Sequence, residues 1–362
     1  MVGKKGSGAG HRVAVVQPRA FPFDPEGALA EVERRTREAA EAGAHLVLFP
    51  EAFVGGYPWG LHFGTVVGGR TPDGMRLFQR YWASAIPVPG PETERLGRAA
   101  REAGVTLAVG VIEREPGAAS TLYCTLLIFG PDGALAGVHR KLKPTAAERL
   151  VWGEGDGSTL PVVETPVGRV GGLICWENYM PLARMALYGK GVEVYLAPTA
   201  DARDRWQATL RHIATEGRCW VLGCNQFVTL QHYAGLLHDP EVGAALRKEL
   251  IPEGREAGEG QGQRDRREGR DRREGREAAP AVFCPGGSVI VGPDGEVLAG
   301  PLLGEEGMLL AELEPGLLAR QRLEFDVVGH YARPDVFRLE VDERPHPAVR
   351  YRRGEGEGSL SS

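Results

Sequence analysis

Apolar residues along the chain fall into short runs separated by amphipathic stretches of helical length. "RVAVVQ" (12–17) is a β-branched run that predicts a strand. "EGALAEVERRTREAAEAG" (26–43) sets Leu29, Val32, Ala39 and Ala40 among Glu and Arg and stops at Gly43, which predicts an amphipathic helix. "AHLVLF" (44–49) predicts a second strand closed by Pro50, and helix followed by strand recurs from Glu92 to Ile112. Alternation of this kind predicts an α/β fold with helices covering a sheet. Two "GPDG" tetrapeptides, at 130–133 and 292–295, lie between apolar runs and predict tight hairpins. Antiparallel pairs count against a TIM barrel, whose strands are parallel, and favour a mixed sheet or sandwich.

One segment breaks the pattern. Within 252–279 the hexapeptide "RDRREG" occurs twice in succession, and Arg264 to Glu277 holds seven arginines against five acids with no large apolar residue. A stretch with no face to bury predicts a disordered, solvated insert. Acids beside nearly every arginine pair leave little unopposed charge for nucleic acid. The whole chain of 362 residues is 42% hydrophobic and 25% charged, with net charge −5 and pI near 6.1, so nothing global points to nucleic acid or an anionic membrane. Five scattered cysteines without a CxxC pair argue against a disulfide framework or a cysteine-rich zinc site, and fit a reducing cytoplasm. The first 11 residues read as a flexible leader rather than a signal peptide, and no apolar run approaches the ~18 residues that span a bilayer.

Three ionisable residues stand just beyond apolar strands: Glu51 after "HLVLFP", Lys141 after "LAGVHR" and Cys175 after "VGGLI". Ligand crevices of open α/β sheets form at the carboxyl ends of strands, so the three converge in principle on one substrate. A cysteine nucleophile needs a base for its proton and a cation or N–H donors for the developing negative charge. Glutamate and lysine supply both. His139 and His212 are the rival partners for a thiol, although His139, two residues before Lys141, would share its strand face and serve to orient it or to fill a core hydrogen bond. No HExxH, GxxxxGK[ST] or strand-borne GxGxxG is present, so neither metal nor organic cofactor is expected.

"FPEAFVGGYPWG" (49–60), "HRKLKPTAAERLVWGEGDGSTLP" (139–161) and "GGLICWENYMPLARMALYGKG" (171–191) resemble, in order and spacing, the glutamate, lysine and cysteine motifs of the nitrilase family of carbon-nitrogen hydrolases. Similarity to plant-type nitrilases runs on through "YLAPTAD", "WQATLRHIATEGRCWVLGCNQF", "GGSVIVGPDGEVLAGP" and "FDVVGHYARPDV", and "CWEN" resembles the nitrile-hydrolysing branch. The resemblance implies an α-β-β-α sandwich over 12–341, interrupted by the insert and followed by a tail (342–362). Such subunits pair into an eight-layer α-β-β-α-α-β-β-α homodimer, and some members extend into spirals or filaments. It also implies Cys175 as nucleophile, Glu51 as general base, Lys141 as stabiliser of the tetrahedral intermediate and Glu148 as a second active-site glutamate. Read as a solvated residue, Glu148 would instead pair with Arg149 or Arg140 in a surface loop. Lys143 is the decoy for Lys141. Tyr57, Trp59 and Trp176 are the expected substrate-binding residues, with core packing the alternative for the rings. The implied reaction takes an organic nitrile, arylaliphatic or β-cyanoalanine, to a carboxylic acid and ammonia. An amide-cleaving relative using the same site is the first alternative. The second is a self-assembling or nucleic-acid-binding protein with a vestigial site.

Overall fold

The structure is a computed structural model and describes residues 10–115, 120–251 and 281–346. The predicted insert at 252–279 lies outside these residues, as do most of the leader and tail. Fourteen strands among the described residues form two mixed sheets of seven.

The first half of the chain runs β1 (His11–Gln17), α1 (Pro25–Glu41), β2 (Leu46–Leu48), α2 (Pro72–Ser84), β3 (Ile86–Pro87), α3 (Pro91–Ala103), β4 (Thr106–Arg114), β5 (Leu122–Phe129), β6 (Leu135–Arg140). It continues through β7 (Val162–Thr165), β8 (Gly168–Gly172), α4 (Pro181–Gly189), β9 (Val194–Pro198), α5 (Asp204–Gly217), β10 (Trp220–Cys224), β11 (Phe227–Thr229), α6 (Ala234–Leu237) and α7 (Gly243–Leu250). The last elements are β12 (Val282–Val291), β13 (Val297–Leu303), β14 (Gly307–Leu313) and α8 (Pro315–Glu324). Sheet one has the order β14-β1-β2-β4-β5-β6 with β3 beside β4; sheet two has β11-β12-β10-β9-β8-β7 with β13 beside β12. His11, assigned to the leader from sequence, already pairs with Leu313 in β1.

Side-chain alternation builds the layers. Val13 and Val15 of β1 face an inner core shared with Val170, Leu196, Trp220 and Leu222 of sheet two. Ala14 and Val16 face the opposite way, toward Leu29 and Val32 of α1 and Leu96 and Ala100 of α3. On the far side, Leu187 of α4 and Leu210 and Ile213 of α5 pack on Tyr195 and Val221. The result is a mixed-sheet α-β-β-α sandwich: the alternation and hairpins predict the mixed α/β sheets, and the resemblance implies the layering. Both "GPDG" segments turn as expected: Gly133 N donates to Gly130 O and Gly295 N to Gly292 O, joining antiparallel β5–β6 and β12–β13.

Because β1, β2 and β4 are parallel and β4–β5–β6 antiparallel, β2 and β6 point the same way. β8 and β9 run parallel in sheet two. Glu51, Lys141 and Cys175 follow β2, β6 and β8 respectively.

Candidate active site

Glu51 is positioned by its backbone on both sheets. Its carbonyl accepts from Gln226 Nε2 at 2.9 Å, and Gly110 of β4 is glycine because a β-carbon there would run into the Pro50 carbonyl. Lys141 leaves β6 with its N–H donating to Cys124 O at 2.8 Å, and its side chain is fully buried. β8 ends at Gly172, two residues sooner than the apolar run suggests, because Cys175 opens a 3-10 turn (Cys175–Tyr179) with φ +53°. A left-handed conformation is costly for a residue with a β-carbon. Asn178 holds it by donating through Nδ2 to Leu173 O (2.9 Å) and Cys175 O (2.8 Å).

The three side chains meet in one buried cluster. Lys141 Nζ donates to Glu51 Oε1 at 2.6 Å and to Glu148 Oε2 at 2.8 Å. Glu148 is therefore not the surface partner of Arg149 or Arg140; Arg149 donates to Pro144 O and Arg140 pairs with Glu113 and Glu115. Glu148 also accepts from Tyr57 Oη at 2.7 Å and from Thr145 N at 2.6 Å. The Cys175 thiol is close enough to the Glu51 carboxyl to influence its ionisation, and Glu51 Oε2 is buried with no hydrogen-bond partner among the described residues. Cys124 Sγ lies 3.6 Å from Glu51 Oε1.

Burial pushes the Glu51 carboxyl up to about 7; Lys141 opposes the rise and Glu148 adds to it. For Lys141 burial works to lower the value, but Glu51 and Glu148 overcome it and hold the ammonium charged. Burial pushes the Cys175 thiol well up, so it needs a base at hand to ionise. Glu51, poised near neutrality beside the thiol, is matched to that task.

The aromatic residues take different places. Tyr57 lies tilted beside Trp59 (centroids 5.0 Å apart) and edge-to-face with Trp152, whose ring lies 5.6 Å from Lys141 Nζ. Trp176 is partly exposed, and its ring turns from the ion cluster: Nε1 donates to Asp201 Oδ2 at 2.8 Å while the Arg203 guanidinium covers it at 4.9 Å. Lys143 is half exposed and pairs with Glu154. His212 is exposed beside Glu216 on α5 and stands apart from the thiol. His139 fills a buried hydrogen bond, its Nε2 2.9 Å from Glu177 Oε2 and its Nδ1 2.5 Å from Thr159 O.

Two further residues stand at the site. Glu177, fully buried, accepts from Ile174 N (2.7 Å) and Leu142 N (2.5 Å) as well as meeting His139, so one carboxylate ties the residue before Cys175 to the residue after Lys141. Thr199 donates through Oγ1 to Cys175 Sγ at 3.0 Å. It follows β9 directly, so the strand-end rule that selects Glu51, Lys141 and Cys175 applies to it equally. Among the described residues no group of three or more His, Cys, Asp or Glu is placed to hold a metal ion, and no helix is long and apolar enough to cross a membrane.

The family described as carbon-nitrogen hydrolase matches residues 12–322. An aliphatic nitrilase of Sinorhizobium fredii (strain HH103) is 50% identical over 338 residues, covering 93% of this chain and 97% of the relative. Plant relatives match at similar length. A bifunctional nitrilase/nitrile hydratase of Lupinus angustifolius is 46% identical over 94% of this chain and 88% of its own. Nitrilase 3 of Arabidopsis thaliana is 46% identical over 94% of this chain and 89% of its own. Among solved structures, an amidase from Nesterenkonia sp. shares the fold, with a TM-score of 0.57, 22% identity and coverage of 90% of this chain and 98% of that one.

Proposed function

The chain belongs to the carbon-nitrogen hydrolase (nitrilase) family, an enzyme of carbon-nitrogen bonds, and from that premise we propose that it is a nitrilase converting an organic nitrile and two waters to a carboxylic acid and ammonia. The observation that carries the reading is the buried convergence of the Cys175 thiol, the Glu51 carboxyl and the Lys141 ammonium at the ends of strands from both sheets.

Glu51 takes the thiol proton, and the thiolate attacks the nitrile carbon to give a thioimidate once the nitrogen is protonated. Water adds, collapse of the tetrahedral species expels ammonia and leaves a thioester, and a second water releases the acid. Lys141, clamped between Glu51 and Glu148, offers positive charge to the intermediates without reorganisation. Tyr57 holds Glu148, and Tyr57 and Trp59 form the aromatic wall beside it, which suits an arylaliphatic chain. Relatives named for aliphatic nitriles and for nitrile hydration put aliphatic nitriles and amide products on the same test. β-Cyanoalanine belongs on it too. Paired nitrile and amide substrates, with ammonia, acid and amide quantified, decide the matter: turnover of nitriles mainly to acid supports the reading, and turnover of amides alone overturns it.

The active unit is a homodimer in this reading. Tyr179 of the 3-10 turn, Met180 after it and Leu182 of α4 are exposed, as are Tyr331, Val336 and Phe337 beyond α8, apolar residues that a second copy would cover.

A further inference from the structure

We propose that Thr199 is a catalytic residue of this site, whose hydroxyl donates to Cys175 Sγ and stabilises the thiolate formed when Glu51 takes the proton. The inference rests on Cys175 being the nucleophile. Thr199 is 2% exposed, and its backbone N–H donates to Cys224 O at 2.8 Å, so the residue is fixed at the end of β9. A hydroxyl has one proton to give and two lone pairs. Asp201 N–H donates into Oγ1 at 2.9 Å and occupies one lone pair, leaving the proton for Sγ at 3.0 Å.

Two consequences follow for the reaction. With Thr199 as donor, the thiol cannot give its own proton to Oγ1, so the S–H is directed toward the Glu51 carboxyl. In the step itself the S–H bond breaks, an O–H bond forms on Glu51, and Thr199 keeps its proton throughout. Lys141 is already engaged by two carboxylates. Among the described residues, Thr199 is thus the side chain that donates to Sγ. Hydrogen bonds to charged groups are stronger than those to neutral ones, and the difference favours the thiolate over the thiol.

The test compares wild type, Thr199→Ser and Thr199→Val by the pH dependence of iodoacetamide alkylation, with Cys175 followed by peptide mass spectrometry. Thr199→Ser keeps the hydroxyl and should alkylate within about threefold of wild type. Thr199→Val should alkylate about 10- to 100-fold more slowly at neutral pH, the range set by a hydrogen bond to a charged group. Its midpoint should move up by a pH unit or more, and kcat should fall while KM holds. A folded Thr199→Val with the wild-type rate and midpoint overturns the proposal and leaves Thr199 as a support for the Asp201 turn alone. Thr199→Ala carries the same comparison if the valine variant fails to fold. Absence of Cys175 alkylation in wild type would instead remove the nucleophile itself, and that failure shows before any variant is made.

Discussion

Glu177→Gln is the substitution that probes the site's architecture most sharply. The carboxylate accepts from Ile174 N, Leu142 N and His139 Nε2 at 2.7, 2.5 and 2.9 Å, all out of solvent. Hydrogen bonds to a charged group contribute about 1.5–3 kcal/mol each, and an unsatisfied buried donor costs about 1–3 kcal/mol. Glutamine keeps the shape, but its NH2 must confront one of the N–H donors, and the other bonds weaken to neutral ones. Relief from burying a charge offsets part of this, leaving a net loss of about 2–4 kcal/mol. For a chain of this size about 1.3 °C per kcal/mol applies, so differential scanning fluorimetry should show Tm falling by about 3–5 °C. The lost bonds adjoin Lys141 and Cys175, so kcat should fall further than stability alone implies, about 10- to 100-fold, as expected for side chains displaced by around 1 Å.

The pH dependence carries a sign. Burial tends to lower the His139 value, but Glu177 overrides it and raises it. A raised histidine contributes stability that is fully present below the unfolded value of about 6.5 and is lost as pH rises through the folded one. The Tm gap between wild type and Glu177→Gln should therefore be widest below about pH 6.5 and narrow above the folded value. Wild-type Tm and kcat in Glu177→Gln would refute the clamp.

Because the Glu51 carboxyl sits at about 7 and must be ionised to act as base, kcat/KM should rise with pH through a limb near 7. Glu148→Gln removes a negative neighbour that pushes Glu51 up, so the limb of the residual activity should move to lower pH; an upward move or a fixed limb counts against the coupling. In the proposed homodimer, Leu182→Asp places a charge on the exposed apolar stretch of α4 and should lower the mass in light scattering to that of a monomer; unchanged mass counts against this stretch as the interface.

Much of this was legible in the chain. Short continuous apolar runs and the "GPDG" turns predict strands that the sandwich contains, since a strand buried on both faces and a tight turn are local properties. The strand-end rule picks out Glu51, Lys141 and Cys175, and the loop position of Lys143 separates it from Lys141. Glu148 was harder, because the adjacent Arg149 offers a surface pairing while its partner, Lys141, is reached only when the loop folds back. The strand-end rule covers the position of Thr199 too, but the partners of Thr199 and Glu177 come from contacts between segments far apart, β9 with the Cys175 turn and His139 with Glu177. The outward turn of the Trp176 ring follows from Asp201 and Arg203, which sequence reading left out.

The most direct test of the central claim is rapid quench of the wild-type enzyme during turnover of a nitrile, followed by peptide mapping of the covalent adduct. The account predicts an acyl or imidoyl group on the Cys175 peptide, absent from Cys175→Ala, which should release no ammonia. An adduct on the Cys124 peptide, or wild-type ammonia release from Cys175→Ala, would contradict it.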